Sequence, residues 1–252
     1  MTTNQRLNPK TRESDFQIVY QEDDEGKIHW LYRNEAETMR KQGLNVGTRP
    51  SPTAGKLLRR CLIPNENDYP SDVRYIQSYS DYENHALTER WYYAIQDLTI
   101  PTLFCEDLNE NTKKLIKDAG WTRAFVKNTI KSLVEEDPLD SVWPDVSFAD
   151  MRRKFAENPR KGSFALRKYL PEETFKSEKR YWVVGDKLHH SSGNIPDIVC
   201  KAWERLKPWG GVFYTIDATE NLIVEINGGE SADRKTDNTA DDFACWIFDA
   251  FH

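Results

Sequence analysis

The segment YTIDATENLIVEINGG, residues 214–229, most constrains what this chain can fold into. Ile216, Leu222, Val224 and Ile226 are apolar with the period of a strand, so the polar residues between them face the other way. Glu225 and Asn227 therefore share a face, and the turn Ala-Thr-Glu-Asn folds Asp217 back beside them. Three oxygen donors on one sheet face, two of them carboxylates, repel one another unless a cation lies between them, which is how a magnesium site is built. The pattern fits equally well an ordinary hairpin whose polar face meets water. The rest of the chain has to decide.

At 252 residues the chain is long enough to bury a substantial core and to hold two coupled lobes. No apolar run approaches the roughly 20 residues needed to cross a bilayer. The polar start MTTNQRLNPKTRESD lacks the apolar stretch of a secretory signal, so a fraying tail over 1–15, a cytoplasmic location and no membrane contact are expected. A net charge of −6 argues against nonspecific duplex binding, and no nucleic-acid partner is expected. Cys61, Cys105, Cys200 and Cys245 lie far apart without a C-x-x-C pair, which points to reduced, mostly buried thiols.

Strand and helix signals alternate over the first hundred residues: strands at FQIVYQ, KIHWLY, RRCLIP and IPTLFCE, helices at 34–43 and 82–98. This predicts a small, mostly parallel sheet in an N-terminal α/β lobe over 16–105. A helix over 109–120, capped by Asn109 or Asn111, follows. Beyond it the pattern predicts strands at RAFVK and GSFALRKYLP, a helix beginning near Ser147, and a hairpin through Gly185-Asp186. A helix entered through Pro196, the hairpin already described and an amphipathic C-terminal helix complete the 106–252 region.

The order AFVK, ALRKYLP, EKRYWVV, GGVFYTID, IVEING over residues 121–235 resembles the nucleotide-binding core of the ATP-grasp superfamily, most closely its compact bacterial and phage members. The resemblance implies an α/β (α+β) fold in which a small N-terminal lobe precedes two α+β subdomains that clasp the nucleotide. It implies an ATP-dependent carboxylate–amine ligase that forms an amide or peptide bond through an acyl phosphate and releases ADP and phosphate. ATP and Mg2+, with Mn2+ as an alternative, are the implied cofactors. A carboxylate substrate and an amine acceptor, an amino acid or a peptide, are the implied partners, and a homodimer stays open. A small-molecule kinase using the same nucleotide site, and a non-catalytic nucleotide-binding module, are the competing readings.

Residue by residue, the resemblance places Lys127 and Lys131 on the ATP phosphates, where cations must offset a triphosphate. The chain carries NTIKSLVEEDP where many relatives have a Gly-rich loop, with Ser132 as a partial substitute. Lys168, Tyr169 and Leu170 match the strand whose backbone reads the adenine edge, and Glu172 or Glu173 would take the ribose hydroxyls. Arg180 matches the arginine directed at the transferred phosphoryl group, and with Lys127 it forms the expected catalytic pair. Lys187, His189 and His190 are either cleft residues or a structural group. Asp217, Glu225 and Asn227 match the magnesium ligands, hard oxygen donors that suit magnesium or manganese. Gly228 and Gly229 are expected to bring backbone close to the phosphate, and Ser231 and Arg234 to contact the carboxylate substrate.

Overall fold

The computed structural model describes residues 16–62, 64–129, 141–157 and 163–252. Strand β1 (Phe16–Tyr20) is buried along its whole length, as the middle strand of a parallel sheet must be. It is flanked in parallel by β2 (Asn45–Gly47) and β3 (Lys56–Arg60), in the order β2-β1-β3. Helix α1 (Arg33–Lys41) connects β1 to β2 and stops ahead of Gly43, whose φ of 85° ends the turn. KIHWLY, expected as a strand, makes one bridge, Glu22 to Ile28, and then closes into a tight helical turn at Trp30–Tyr32.

The helix expected over 82–98 is two: α2 (Tyr79–Ala86) and α3 (Thr88–Trp91). Ser78 and Asp81 form a reciprocal capping box that starts α2 three residues early. Leu87 then leaves helical geometry with ψ at 111°. The Thr88 N–H and hydroxyl both donate to the Thr129 carbonyl, at 2.8 and 2.9 Å, so a contact distant in sequence overrides the helical period.

Strand β4 (Thr102–Cys105), expected in the first lobe, pairs antiparallel with β7 (Phe164–Lys168) instead. It belongs to a sheet in the order β4-β7-β5-β6, completed by β5 (Ala124–Asn128) and β6 (Val142–Trp143). Helices α4 (Glu110–Asp118), capped by Asn109, and α5 (Phe148–Glu157) accompany this sheet. Its core, around Val126, Met151 and Leu166, is its own.

The third sheet runs β11-β10-β8-β9, with β8 (Lys179–Val184), β9 (Lys187–His189), β10 (Phe213–Ala218) and β11 (Ile223–Gly228) all antiparallel. Alternation sorts its residues onto two faces. Tyr181, Val183 and Ile216 pack with Val199 and Leu206 of α6 (Asp197–Leu206) on one face. Trp182 and Phe213 pack on the other with Phe243 of α7 (Ala240–Phe251) and with Ile18, Tyr32 and Met39 of the N-terminal lobe. The N-terminal lobe and the last sheet thus share one core.

Among the described residues no helix is long and apolar enough to cross a membrane. The cysteines depart from expectation: Cys61 is buried and Cys105 half-buried, but Cys200 and Cys245 are exposed.

Candidate functional site

The face of the last sheet that packs on the N-terminal lobe at one end carries charge at the other. Register places Glu225 of β11, Asp217 of β10 and Arg180 of β8 in a single row across three strands. Two carboxylates directly opposite each other destabilise a sheet unless cations offset them. Arg180 grips Asp217 as a fork, Nε to Oδ1 at 2.7 Å and Nη2 to Oδ2 at 2.5 Å. Its Nη1 turns to Asp233, donating to the carbonyl at 2.7 Å and to the carboxylate. Lys127, nearly buried on β5 of the other sheet, pairs with Glu225. Asn227, one step along the same face, places its Nδ2 3.3 Å from Glu225 and 3.5 Å from Asp217.

These pairings set the protonation. Burial pushes the Glu225 carboxyl up, but the Lys127 charge and hydrogen bond, with the Arg167 and Arg180 charges, outweigh it and hold the group down at about 2. Burial works against the Arg180 charge too, yet Asp217 and Asp233 raise its pKa. Lys235 is also raised despite burial, first by Asp217; its Nζ lies 2.6 Å from Glu178 and 3.6 Å from Asp217.

Between the two antiparallel sheets lies a cavity of about 680 Å³. Its wall combines the apolar Ile100, Phe125, Val142, Leu170, Phe175 and Val224 with the charged Lys127, Arg167, Arg180, Asp217, Glu225 and Lys235. Such a volume, with both apolar and densely charged walls, suits a small ligand with a ring and an anionic tail.

Of the residues expected at the site, the cavity brings together Lys127, Lys168, Tyr169, Leu170, Glu172, Arg180, Asp217 and Glu225, with Asn227 against the carboxylate pair. Lys131 and Ser132 lie outside the described residues. Glu173 is not among the lining residues. The Lys168 and Tyr169 N–H groups are engaged by the Pro101 and Arg123 carbonyls at 2.9 and 3.3 Å, and the Tyr169 ring lies 3.9 Å from the Arg123 guanidinium. That leaves the Leu170 N–H and the carbonyls of this stretch as the groups able to read a ring edge.

Ser231 and Arg234 fall away from the cavity. Ser231 Oγ donates to the Gly228 carbonyl at 3.4 Å and lies 3.5 Å from Tyr82 Oη, while Arg234 donates to the Asn238 carbonyl. His189 stacks on Trp246 and His190 contacts Tyr181 and Asp237, a structural arrangement; Lys187 is exposed. Gly228 and Gly229 serve packing: a Cβ would stand 2.2 Å from the Tyr82 ring at the first and 2.5 Å from the Phe213 ring at the second.

Arg167, Lys235 and Glu178 line the cavity without having been picked from the sequence as ligand contacts. An arginine inside the apolar alternation of ALRKYLP was the available signal for Arg167; Lys235 gave none, since a φ of 54° turns its chain into the site. The loop carrying Asp233 and Lys235 is tied to the N-terminal lobe by Arg60, which donates to the Gly229 and Ala232 carbonyls, the latter at 2.9 Å. Glu35 accepts from the other side of that buried guanidinium at 2.8 Å.

The donor set fits a magnesium ion. Among the described residues no three His, Cys, Asp or Glu side chains form a metal cage by themselves. Two carboxylates and an amide oxygen are what magnesium takes from a protein when phosphate oxygens and water complete its shell. Asp217 and Glu225, with Asn227 turned to present Oδ1, are the residues able to hold it.

No family model matches the sequence, and no curated protein matches it. Solved structures do match, over nearly the whole chain. The D-cycloserine synthetase DcsG is similar with a TM-score of 0.63 at 12% identity, covering 94% of this chain and 99% of its own. A RimK domain ATP-grasp protein from Sphaerobacter thermophilus gives 0.56 at 13% identity, with 94% and 98% covered. The ATP-grasp ligase PsnB, solved with a minimal precursor, Mg and ADP, gives 0.54 at 10% identity, with 94% and 98% covered. Three sheets in this order, with a cavity between the two antiparallel ones and similarity of this extent, lead to one conclusion: the chain has the ATP-grasp fold.

Proposed function

We propose that this chain is an ATP-dependent carboxylate–amine ligase. The observation that carries the reading is the row Glu225–Asp217–Arg180, paired with Lys127 of the facing sheet, in a cavity that also has apolar walls. In the reaction the γ-phosphoryl group passes from ATP to a carboxylate oxygen of the substrate, giving an acyl phosphate and ADP. An amine then attacks the acyl carbon, loses a proton, and phosphate leaves as the amide forms. Magnesium, when bound, neutralises charge on the β- and γ-phosphates. Lys127 and Arg180 offset the rest, and Asp217 fixes the Arg180 fork so that its Nη1 edge is the one able to change partners. In this reading Leu170 and the apolar residues of the wall seat the base, and Glu172, which lines the cavity, takes a ribose hydroxyl. The sheets on either side exclude water that would hydrolyse the acyl phosphate.

Similarity to PsnB, solved with Mg, ADP and a minimal precursor, supports a nucleotide–metal site and a peptide or amino-acid substrate. The N-terminal lobe, with the stretches 48–55 between β2 and β3 and 64–78 ahead of α2, would then be the surface that selects the carboxylate substrate.

The test is ADP release from ATP and magnesium across a panel of amino acids and peptides. Release that requires both a carboxylate and an amine supports the ligase. Release on an alcohol with no amine present would make the protein a kinase. Unchanged turnover in Asp217→Ala would remove the metal role on which the reading stands.

A further inference from the structure

Lys235 reaches the cavity from the loop between β11 and α7, and it is more open than the other two cations of the carboxylate row: its side chain is 32% exposed, against 3% for Lys127 and 7% for Arg180. With a φ of 54° it is the one non-glycine residue in the left-handed region among the described residues. The loop around it is pinned, since Arg180 holds Asp233 and Arg234 donates to the Asn238 carbonyl. Such a backbone, costly for a lysine and easy for a glycine, points to a use for the side chain it aims.

The partners of the ammonium do not account for that use. Nζ lies 2.6 Å from Glu178, which also lines the cavity, and 3.6 Å from Asp217 Oδ2, too far for a hydrogen bond. Asp217 is already gripped by the Arg180 fork and has no need of a second cation. The partly exposed pair with Glu178 holds little against a stronger anion. An ammonium 3.6 Å from a carboxylate assigned to magnesium repels the metal ion unless an anion lies between the two charges. A phosphate oxygen is the anion that a nucleoside triphosphate brings there.

Resting on the nucleotide reading of the cavity and deepening it, we propose that Lys235 is a ligand contact: its ammonium leaves Glu178 and donates to a phosphate oxygen of the bound nucleoside triphosphate. Lys127 then holds the polyphosphate from the middle sheet and Lys235 from the loop after β11. The Glu178 pair is where the lysine waits.

Calorimetric titration with ATP and magnesium, run on the parent, Lys235→Gly and Glu178→Gln, separates this role from that of a loop brace. Glycine suits the backbone at 235, so that variant removes the ammonium without straining the fold. Should it not fold, Lys235→Met is read in its place. Lys235→Gly should weaken binding by about tenfold, the worth of one charge-assisted contact. It should also lose less affinity than the parent between low and high salt. Glu178→Gln should bind within about twofold of the parent or more tightly, because it releases the lysine. Equal weakening in both variants would make the Glu178–Lys235 pair a brace and overturn the proposal. Unchanged affinity in Lys235→Gly also overturns it, as does weakening that keeps the parent's salt dependence, which would put the lysine on the nucleoside. A parent protein that binds no ATP would overturn the nucleotide reading itself, and this proposal with it.

Discussion

Lys127 and Glu225 belong to different sheets, and their ion pair closes across the cavity from β5 to β11. A carboxylate already held by a lysine is a poor ligand for a free cation. Magnesium alone is therefore expected to raise the unfolding temperature little, and magnesium with ATP to raise it clearly, because phosphate offers Lys127 a new partner and frees Glu225. Stabilisation at ligand 100 times its Kd amounts to about 2.7 kcal/mol, well within reach of a thermal shift measurement. Equal shifts with and without nucleotide would contradict the exchange.

Removing one side of that pair leaves the other uncompensated. Lys127→Met should destabilise the protein by on the order of 2 kcal/mol in urea unfolding, since Glu225 loses its nearest cation. Nucleotide affinity should fall by about tenfold or more, the worth of one charge-assisted contact. Stability and affinity both unchanged would mean that Lys127 is not where the phosphates bind.

Asp217→Asn keeps the shape of the side chain and removes its charge. The Arg180 fork loosens and a carboxylate ligand becomes a neutral amide, so turnover should drop by at least about a hundredfold. Circular dichroism should stay unchanged, since the row of strands persists. Activity within a few fold of the parent, measured as ADP release, would rule out the assigned role.

Glu230 gives a pH signature of its own. Burial, opposed by hydrogen bonds from the backbone and Gln77 and by the Arg60 charge, raises this carboxyl from 4.5 to about 8. The unfolded chain ionises near 4.5 while the folded chain holds the proton to about 8, so the native state binds more protons over that window and stability falls as pH rises through it. The slope is at most about 1.4 kcal/mol per pH unit. Glu230→Gln should be more stable than the parent at pH 8, and the advantage should shrink towards pH 5. An advantage that is constant with pH would show that Glu230 is ionised in the fold.

Gly228→Ala should fail for steric reasons. Its Cβ would fall 2.2 Å from the Tyr82 ring of α2, which is packed and cannot swing away freely. A loss of about 1–3 kcal/mol is expected from chemical unfolding. A neutral substitution would mean that α2 packs more loosely on β11 than the structure has it.

The sequence was most legible where the signal is local. Period-2 alternation brought Asp217 beside Glu225, although an irregularity of the ladder after Asp217 puts Ile223 rather than Val224 in the core and leaves Val224 lining the cavity; Asn109 and Gly120 bounded α4 because caps act within a few residues. Where partners are distant, reading failed. Nothing near Thr88 announces that Thr129 will break the helix, and nothing in IPTLFCE says that its partner is β7, some 60 residues on. At the site the same division holds: Lys127, Arg180 and Asp217 sit in strands with a readable face. Lys235 reaches the cavity through a loop conformation, and Ser231 and Arg234 turn aside to bond their own loop.

The hydrophobic interior is divided unevenly: the first lobe and the last sheet are fused through Trp182, Phe213 and Phe243, whereas the β4-β7-β5-β6 sheet keeps a separate interior around Val126 and Leu166. Any jaw-like movement would then swing that middle sheet as one piece against the fused body, pivoting near 98–101 and 169–178, with the Lys127–Glu225, Thr88–Thr129 and Arg167–Val224 contacts as its clasps. Hydrogen exchange that slows at those two pivots when nucleotide and metal are added together, and nowhere in the fused body, would be the mark of that motion.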